Sequence, residues 1–488
     1  MSREPINPAS GQPAEKKRRK SIREISPIDV YKLLPKTNCR ECRESNCMAF
    51  STRLVNGEVV LLDCPPILTE EYREAHTQLI ELLAPPVRAV TFGSGPDAVT
   101  IGGKYVLQRH EFTYHNPSPI AIDLHDLMPE QELLDRVKTI GEFSYNYIGR
   151  TLSLNAIAIR CSSSDAETFR DAVKRVVAAS KLPLILCAHD PHVMEAGLSA
   201  CREQTPLIYA ATETNWKQMA ELALQYRCPL VVSAPADMDL LRSLTKTLFE
   251  YGVEDLVLDP GTIGEEGLAV TIANFTGLRT EACRHFDELS GFPLLGIPMT
   301  VWTGSEISED VLKWKEAITA SMLLSRYADL LIMHSMDGWV LLPQMIWRFN
   351  IYTDPRKPVS VEPGLRAFGK PDRNSPVLVT TNYALTFFTV ESDIKAANLD
   401  CYLLIVDTGG LSVESAVAGR YFNADSIANG LAEYNVESLV GHKTLIIPGL
   451  AARLSGDAEE ASGWKILVGP KDSSGLAQFI RKRWSPGS

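Results

Sequence analysis

Four cysteines near the start of the chain form the pattern best suited to chemistry. They occur as Cys39-x2-Cys42-x4-Cys47-x16-Cys64, while the other six of the ten cysteines are scattered. Because three of the four lie within nine residues, one loop can bring three thiolates to the same metal. The spacing matches neither the common bacterial ferredoxin run nor the paired CxxC of zinc ribbons. Zinc, a 4Fe-4S cluster and a structural turn with unligated thiols therefore all remain open.

The segment that carries these cysteines is short. Residues 1–26 are rich in proline, serine and charge and predict a disordered tail. Residues 27–86 predict a helix in SPIDVYKLLP, cysteine-bearing loops, and a second helix from Thr69, as its N-cap, to Leu83. About sixty residues bury little core by themselves, so a bound metal would be a sensible staple for this unit.

Residues 87–338 alternate short apolar runs with amphipathic helical stretches. Continuous apolar strands joined by helices predict a parallel sheet covered on both faces. Eight such runs over about 250 residues favour a closed (β/α)8 TIM barrel over an open doubly wound sheet. The runs begin at Ile120, Asn155, Pro183, Pro206, Pro229, Asp255, Leu294 and Asp329.

Residues 339–488 predict a third unit. An irregular stretch with several prolines starts at about Trp339, and four strand-like runs follow, beginning at Val377, Tyr402, Thr444 and Lys465. Four parallel strands cannot close a barrel, so we predict an open α/β, Rossmann-like domain. Ligands of such sheets lie at the carboxyl ends of the strands, where this sequence places small and polar residues.

Composition narrows the class of partner. The chain has 49 basic and 60 acidic residues, a net charge of −11, which disfavours nucleic acid and anionic membranes as ligands. It contains no 18-residue apolar run and no apolar signal segment, and we expect a cytoplasmic protein. The basic run at residues 16–20 is expected to be a solvated arm.

The segment YKLLPKTNCRECRESNCMAFSTRLVNGEVVLLDCPP resembles the N-terminal motif of the large (gamma) subunit of the corrinoid iron-sulfur protein, the methyl carrier of the anaerobic acetyl-CoA (Wood-Ljungdahl) pathway. Further matches, including VTIGGKYVLQRHEFTYHNPSPIAIDL, NSPVLVTTNYALTFFTVE and YLLIVDTGGLSVESAVAGRYF, follow in the family's order from residue 27 to the C-terminus. The resemblance implies a 4Fe-4S domain, a central TIM barrel and a C-terminal corrinoid-binding α/β domain. It also implies that the cluster ligands are Cys39, Cys42, Cys47 and Cys64.

The sequence departs from this family after the first two cysteines. Glycine usually follows each of them in the family, whereas Arg40 and Arg43 stand here. If either position needs a positive φ, arginine would cost about 1 kcal/mol or more. Two cations beside the cluster also stabilise its reduced state, and we predict a raised reduction potential.

The resemblance places a cobalamin-type corrinoid at the C-terminal strand ends. A histidine ligand below cobalt would lie in a D-x-H-x-x-G loop, but the nearest candidate, Asp123 to Leu127, lacks the glycine and lies in the barrel. We therefore expect a base-off corrinoid without a protein histidine ligand. The residues expected to hold it are Thr380, Thr381, Thr386, Gly409, Gly410, Leu411, Ser412, Val413, Gly449, Gly469, Pro470 and Ser473. In this expectation the threonines offer hydroxyls and the two glycines offer backbone N–H groups to the nucleotide tail.

Other titratable residues receive no catalytic assignment. His189, His192 and His334 lie near strand ends of the barrel, where active sites of that fold form, but we expect them to be packing residues. Residues 109–111 (RHE) match the family without an assignable role.

The resemblance implies that the chain is a methyltransferase component. The resemblance implies a chain that accepts a methyl group from methyltetrahydrofolate or methyltetrahydropterin through a methyltransferase and delivers it to acetyl-CoA synthase/CO dehydrogenase. A 4Fe-4S cluster would reductively reactivate Co(II) to Co(I), and a small subunit would complete a heterodimer in an anaerobic organism. Two alternatives are a barrel that itself transfers methyl from a pterin and a zinc-stapled scaffold without catalysis.

Overall fold

The computed structural model describes residues 25–55, 59–103, 107, 116–148, 150–264, 267–303, 307–351 and 358–485. The predicted tail up to residue 24, with its basic run, and residues 109–111 lie outside the described residues. The chain divides into two compact units, residues 1–144 with 153–353 and residues 145–152 with 354–488. The predicted boundaries after residues 26, 86 and 338 stay predictions.

Three helices build the cysteine-bearing segment: α1 (Pro27–Leu33), α2 (Cys47–Val55) and α3 (Arg73–Leu83). A capping box starts α1, because the Ser26 hydroxyl accepts from the Asp29 N–H and the Asp29 carboxylate accepts from the Ser26 N–H. The prediction that Thr69 caps the second helix was wrong. A 3-10 turn precedes α3, and the Thr69 hydroxyl donates instead to the carbonyl of Pro66.

The predicted barrel is confirmed. Its strands are β3 (Ile120–His125), β6 (Ala156–Arg160), β7 (Leu184–Cys187), β8 (Leu207–Ala211), β9 (Leu230–Ser233), β10 (Leu256–Asp259), β11 (Leu295–Gly296) and β12 (Leu330–Met333). Within the described residues they form one parallel sheet in the order β10-β9-β8-β7-β6-β3-β12-β11. A parallel bridge between Leu258 and Leu294 joins the two outer strands and nearly closes the barrel.

Within the described residues, two pairs of strands were missed, the first of them antiparallel. The first pairs β1 (Ala89–Phe92) with β2 (Val99–Gly102), and its apolar side chains pack into the barrel's inner core. The second pairs β4 (Ser144–Tyr147) with β5 (Arg150–Ser153). The helices of this region are α4 (Glu130–Glu142), α5 (Ala166–Ala179), α6 (Pro191–Ala200), α7 (Trp216–Tyr226), α8 (Met238–Tyr251), α9 (Leu268–Thr280), α10 (Glu309–Ser325) and α11 (Gly338–Asn350).

Helix α11 corrects the expectation of an irregular stretch from Trp339. A proline inside a helix removes a hydrogen bond and suggests a break. Here Pro343 is tolerated, because Val340, Leu341 and Met345 bury one face of α11 completely. Burial of this apolar face therefore outweighs the local cost of the proline.

The C-terminal unit is an open sheet with apolar side chains packed on both faces. Its strands are β13 (Gly364–Phe368), β14 (Val377–Thr381), β15 (Cys401–Val406), β16 (Thr444–Ile447) and β17 (Lys465–Val468), in the order β13-β15-β14-β16-β17. The four predicted strands are parallel, and β13 adds an antiparallel edge that was not predicted. The helices are α12 (Ala384–Ala396), α13 (Val413–Ala418), α14 (Ala424–Glu433), α15 (Ser455–Ser462) and α16 (Leu476–Arg483). None of the described helices is long and apolar enough to cross a membrane.

Candidate iron-sulfur and ligand sites

The first candidate site is the cysteine loop, residues 36–46, which leads into α2. The Arg43 N–H donates to the Arg40 carbonyl at 2.9 Å and closes a turn around Cys42. The Asn38 side chain accepts from the Cys47 N–H at 3.0 Å, which fixes the loop to the start of α2. Arg40 and Arg43 have φ angles of 65° and 64°. Both positions that follow the first two cysteines are thus left-handed, the conformation that favours glycine.

The four cysteines are free thiols that differ in solvent exposure. Cys39 is exposed, Cys42 is half-buried, and Cys47 and Cys64 are buried. Burial raises the pKa of the Cys64 thiol, and the neighbouring Cys42, Cys47 and Cys39 raise it further. The described residues contain no group of three His, Cys, Asp or Glu side chains placed to hold a metal ion. The sulfurs are therefore not arranged as a coordination shell in the described residues, while the donor set itself suits a thiolate-bound centre.

The second candidate site is a cavity of about 390 Å³ at the carboxyl edge of the C-terminal sheet. Apolar side chains such as Leu385, Leu450 and Leu476 form much of its wall, and Leu385 and Leu450 are also exposed at the surface. No histidine occurs among the described residues that line it. A concave, mainly apolar site with a few polar groups is typical of cofactor binding.

Seven of the predicted corrinoid residues line this cavity: Thr380, Thr386, Ser412, Val413, Gly469, Pro470 and Ser473. The cavity wall does not include Thr381, Gly409, Gly410, Leu411 or Gly449. Sequence reasoning missed Thr389 and Val390, which share the cavity with Thr386. Their spacing of three and four residues within α12 is the signal that could have found them.

Thr380 is the most informative residue of the cavity. Its side chain is 2% exposed, and its hydroxyl has no hydrogen-bond partner among the described residues. The hydroxyl of the adjacent, fully buried Thr381 also has none. Buried polar groups are almost always paired, so two neighbouring unpaired hydroxyls at the end of β14 are an unusual feature of this strand end.

The turn after β15 is organised by Asn382, a residue that sequence reasoning did not single out. Its side-chain oxygen accepts from the N–H groups of Thr408 at 2.9 Å and Gly410 at 3.0 Å. The Gly409 N–H donates to the Asp407 carboxylate at 3.0 Å. Both glycine N–H groups are therefore hydrogen-bonded within the chain. Gly409 and Gly410 adopt the positive φ angles, 65° and 76°, that this turn contains.

Gly449 acts from behind the cavity wall. A Cβ at this position would lie 2.7 Å from the Gly469 carbonyl oxygen and the Lys471 nitrogen. Only glycine lets the chain approach the 469–471 loop this closely, and Gly469 lines the cavity. Gly449 thus shapes a wall that it does not itself form.

The third candidate site is the carboxyl end of the barrel, where polar side chains replace the apolar interior. Asp123 accepts from the Arg160 Nε at 2.8 Å, and the His334 Nδ1 lies 2.6 Å from its other oxygen. Across the barrel, Asp259 accepts from the Tyr209 hydroxyl at 2.9 Å and the Ser233 hydroxyl at 2.8 Å. Substrate sites of this fold form at this end.

The two buried carboxylates differ electrostatically. Burial alone would raise the pKa of Asp123, but hydrogen bonds and charges from His334 and Arg160 outweigh it and lower that pKa. Burial raises the pKa of Asp259 despite its neutral donors. The Arg160 and His334 side chains remain about 29% and 33% exposed. This end of the barrel therefore offers a solvent-accessible, partly charged surface.

Comparison with known proteins identifies the family. A family model described as CO dehydrogenase/acetyl-CoA synthase delta subunit matches residues 89–480, and a second model, whose description names an Fe-S cluster, matches residues 34–66. Acetyl-CoA decarbonylase/synthase complex subunit gamma of Methanosarcina acetivorans is 43% identical over 94% of this chain and 99% of its own length. The chain belongs to this gamma-subunit family. It is the family of the corrinoid iron-sulfur protein large subunit, so the resemblance seen in the sequence is confirmed.

Other gamma-subunit relatives are similar to the same degree. Subunit gamma 1 of Methanosarcina thermophila is 44% identical over 94% of this chain and 99% of its length. The Fe-S match to the cysteine segment of this gamma-subunit family member supports an iron-sulfur cofactor. Among solved structures, dihydropteroate synthase from Thermus thermophilus covers 53% of this chain and 98% of its own, with a TM-score of 0.37 and 17% identity. That likeness is too distant to indicate a ligand.

Proposed function

We propose that this chain is a methyl carrier. It accepts a methyl group from methyltetrahydrofolate or methyltetrahydropterin through a methyltransferase and delivers it to acetyl-CoA synthase. When bound, a cobalamin-type corrinoid supplies the cobalt that takes up and releases the methyl group, and a 4Fe-4S cluster supplies the electron that returns Co(II) to Co(I). The observation that carries this proposal is the cavity at the carboxyl edge of the C-terminal sheet, which seven of the predicted corrinoid residues line.

The cavity residues would hold the corrinoid in distinct ways. The hydroxyls of Thr380, Thr386, Ser412 and Ser473 would bind its polar side chains or lie below its ring, and apolar wall residues would exclude water. The absence of histidine from the described wall favours a base-off form without a protein nitrogen ligand. The remaining proposed residues shape or flank the pocket: Thr381, Gly409, Gly410, Leu411, Val413, Gly449, Gly469 and Pro470.

The cysteine loop would hold the cluster. Four thiolates from Cys39, Cys42, Cys47 and Cys64 complete a 4Fe-4S centre without any histidine. Two of these sulfurs are buried beside the helical core, which would keep water from most of the cluster. Their removal should abolish the cluster while leaving the corrinoid unit folded, since the latter is a separate compact unit.

Metal analysis of the full chain tests both assignments. Purified under argon and supplied with a cobalamin, the chain should contain about four irons and one cobalt, with absorption from both groups. Cys64→Ser should lose iron but keep cobalt, and Cys161→Ser, which alters a cysteine outside the set of four, should keep both. Zinc in place of iron, without cobalt, would support the scaffold alternative and reject the carrier.

The barrel end favours a second candidate function. Buried carboxylates and a half-exposed His334 at the carboxyl end are unusual for a purely structural barrel. In this alternative the barrel binds the methyl-pterin and transfers its methyl group without a separate methyltransferase. Calorimetry with methyltetrahydrofolate and the full chain separates the two, because only the alternative requires binding that Asp259→Asn abolishes.

A subunit partner is also part of the proposal. The exposed face of α10 carries Val311, Trp314, Ile318 and Met322 at spacings of three and four residues. The Trp314 ring lies 5.3 Å from that of Trp339 on α11. Contiguous exposed apolar residues mark interaction sites, and we assign this face to the small subunit of the corrinoid iron-sulfur protein.

A further inference from the structure

A further cavity, also of about 390 Å³, lies at the amino end of the barrel strands. One wall is the linker 84–86, which joins α3 to β1, and another wall belongs to the segment 282–291 between α9 and β11. The linker contributes two proline rings, and Phe286 adds an aromatic ring. The wall is therefore mainly apolar, and its charged residues are Arg88, Asp287 and Glu288.

Arg88 is the cation of this cavity. Its N–H donates to the Gly291 carbonyl at 2.9 Å, and its carbonyl accepts from the Gly103 N–H at 3.1 Å, so its backbone is fixed on both sides. Its guanidinium carbon lies 4.5 Å from the centre of the Phe249 ring and 5.0 Å from that of the Phe292 ring. Cation–π contacts orient a guanidinium and leave the N–H groups at its edge available. Arg88 is therefore held in place before any ligand binds.

The guanidinium of Arg88 has no acceptor among the described residues. It forms neither a hydrogen bond nor an ion pair with them, and the residue is only half-exposed. Burial and the charge of Glu254 raise the pKa of Asp255, and the charge of Arg88 opposes them, yet Asp255 forms no ion pair with Arg88. A guanidinium presents its donors as a rigid fork that matches the two oxygens of a carboxylate or phosphate. Arg88 thus offers a preformed binding group for an anion.

The carboxylates of the wall decide which anion fits. Asp287 accepts from the Arg242 guanidinium at 2.5 and 2.8 Å and from the Ser290 N–H at 3.0 Å. Burial raises the pKa of Asp287, but hydrogen bonds from Arg242 and Ser290 outweigh it and lower that pKa, so this ion pair persists and is neutral overall. Glu288 is exposed and offsets the charge of Arg88. The cavity therefore has no surplus positive charge with which to hold a dianion such as phosphate.

We propose that this cavity binds a small organic monocarboxylate with a planar apolar body, such as an aromatic acid. The carboxylate accepts two N–H bonds from the Arg88 fork, and the body packs against Pro85, Pro86 and Phe286. The cavity volume falls within the range of small-ligand sites. A ligand bound here contacts both the linker and the barrel. The site involves neither the cluster nor the corrinoid, so it stands independently of the proposed function.

Fluorine NMR of 4-fluorobenzoate with the full chain measures this binding, because the resonance of the probe broadens when it is bound. Benzoate should displace the probe. Benzamide, which has the same shape without the charge, should require a concentration about tenfold higher or more, since charge-assisted hydrogen bonds are lost. Inorganic phosphate should also be about tenfold weaker than benzoate or worse. Displacement by benzamide or phosphate at the concentration at which benzoate acts would overturn the assigned ligand class.

Three variants locate the site. Arg88→Gln should weaken probe binding about tenfold or more, because it removes the charged fork. Arg202→Gln is the matched control and should bind as wild type, since Arg202 also lies over a ring, that of Tyr226 at 5.5 Å, but does not line this cavity. Ala89→Phe keeps Arg88 and adds a ring at an exposed position of the cavity wall, so it should abolish binding.

The results of these variants separate a specific site from a general effect of charge. Wild-type affinity in Arg88→Gln or in Ala89→Phe would overturn the proposal, and so would an equal loss in Arg202→Gln. If Arg88→Gln fails to fold, Ala89→Phe decides the question, because its substitution lies at an exposed strand position that accommodates an aromatic residue.

Discussion

Replacing Thr380 with valine should stabilise the ligand-free chain. The side chain is 2% exposed, and its hydroxyl has no partner among the described residues. A buried, unsatisfied hydroxyl costs about 1–3 kcal/mol, and valine keeps nearly the same shape. We therefore expect Thr380→Val to raise the free energy of unfolding of the ligand-free C-terminal unit by about 1–2 kcal/mol.

Thr408 provides the matched control. It is also fully buried, but its hydroxyl lies 2.9 Å from the Asn382 side-chain oxygen and 3.1 Å from the Leu411 carbonyl oxygen. Thr408→Val breaks these hydrogen bonds and should lower the free energy of unfolding by about 1–2 kcal/mol. The same chemical change at equal burial thus has opposite signs.

Calorimetry of the full chain, with and without a bound cobalamin, measures both effects. The thermal transition of the C-terminal unit should move by roughly 3 °C per kcal/mol, upward for Thr380→Val and downward for Thr408→Val. If the Thr380 hydroxyl binds the corrinoid, the valine variant should also lose about tenfold in affinity, or 1.4 kcal/mol. A transition that falls in both variants would refute the reasoning, and unchanged cobalamin affinity would refute the role of Thr380.

Four further outcomes are expected. Arg40→Gly/Arg43→Gly should raise the free energy of unfolding, measured by chemical denaturation, by about 1 kcal/mol. The reason is that removing the strain of two left-handed arginines exceeds the entropy cost of two glycines. An unchanged free energy of unfolding would contradict this prediction. In a redox titration the same variant should have a lower cluster potential than wild type, since two cations are lost, and an equal or higher value would contradict the prediction. The pKa of Asp123 is lowered in the folded chain, so its stabilising contribution is present above about pH 4 and is lost as the pH falls through the folded pKa. The urea midpoint of the wild type should therefore fall over this pH range. Asp123→Asn should remove this pH dependence of the midpoint. Trp314→Ala should weaken co-purification with the small subunit, whereas Leu224→Ala, at an exposed position on α7, should not.

The barrel was predictable because its strands are buried on both faces and therefore appear as continuous apolar runs. The exceptions have local physical causes. Strand β13 was missed because GLRAF lies at a sheet edge and buries only its end residues, Gly364 and Phe368. Helix α11 was missed because Pro343 interrupts its pattern, although tertiary burial compensates. Propensity alone does not include that tertiary contribution.

The candidate sites were predictable to different depths. Cysteine spacing located the segment that matches the Fe-S family model. The left-handed φ angles of Arg40 and Arg43 could not be predicted from the sequence, because backbone dihedral angles in a turn depend on how the turn closes. Strand ends located the cavity, yet Gly409 and Gly410 were expected to offer free N–H groups that the structure shows in use. The Gly409 N–H donates to Asp407, and the Gly410 N–H donates to Asn382, which follows the neighbouring strand β14.

Asn382 accounts for the paired hydroxyl of Thr408. Thr380 lies at the carboxyl end of β14, and Thr408 follows the neighbouring parallel strand β15, but only Thr380 was predicted to bind the corrinoid. The Asn382 oxygen accepts from the Thr408 N–H, the Thr408 hydroxyl and the Gly410 N–H, so its acceptor capacity is spent on the turn after β15. Thr380, two residues before Asn382, is left beside the cavity with an unsatisfied hydroxyl. Asn382 therefore closes the hydrogen-bond network after β15, while the Thr380 hydroxyl at the end of β14 has no partner among the described residues.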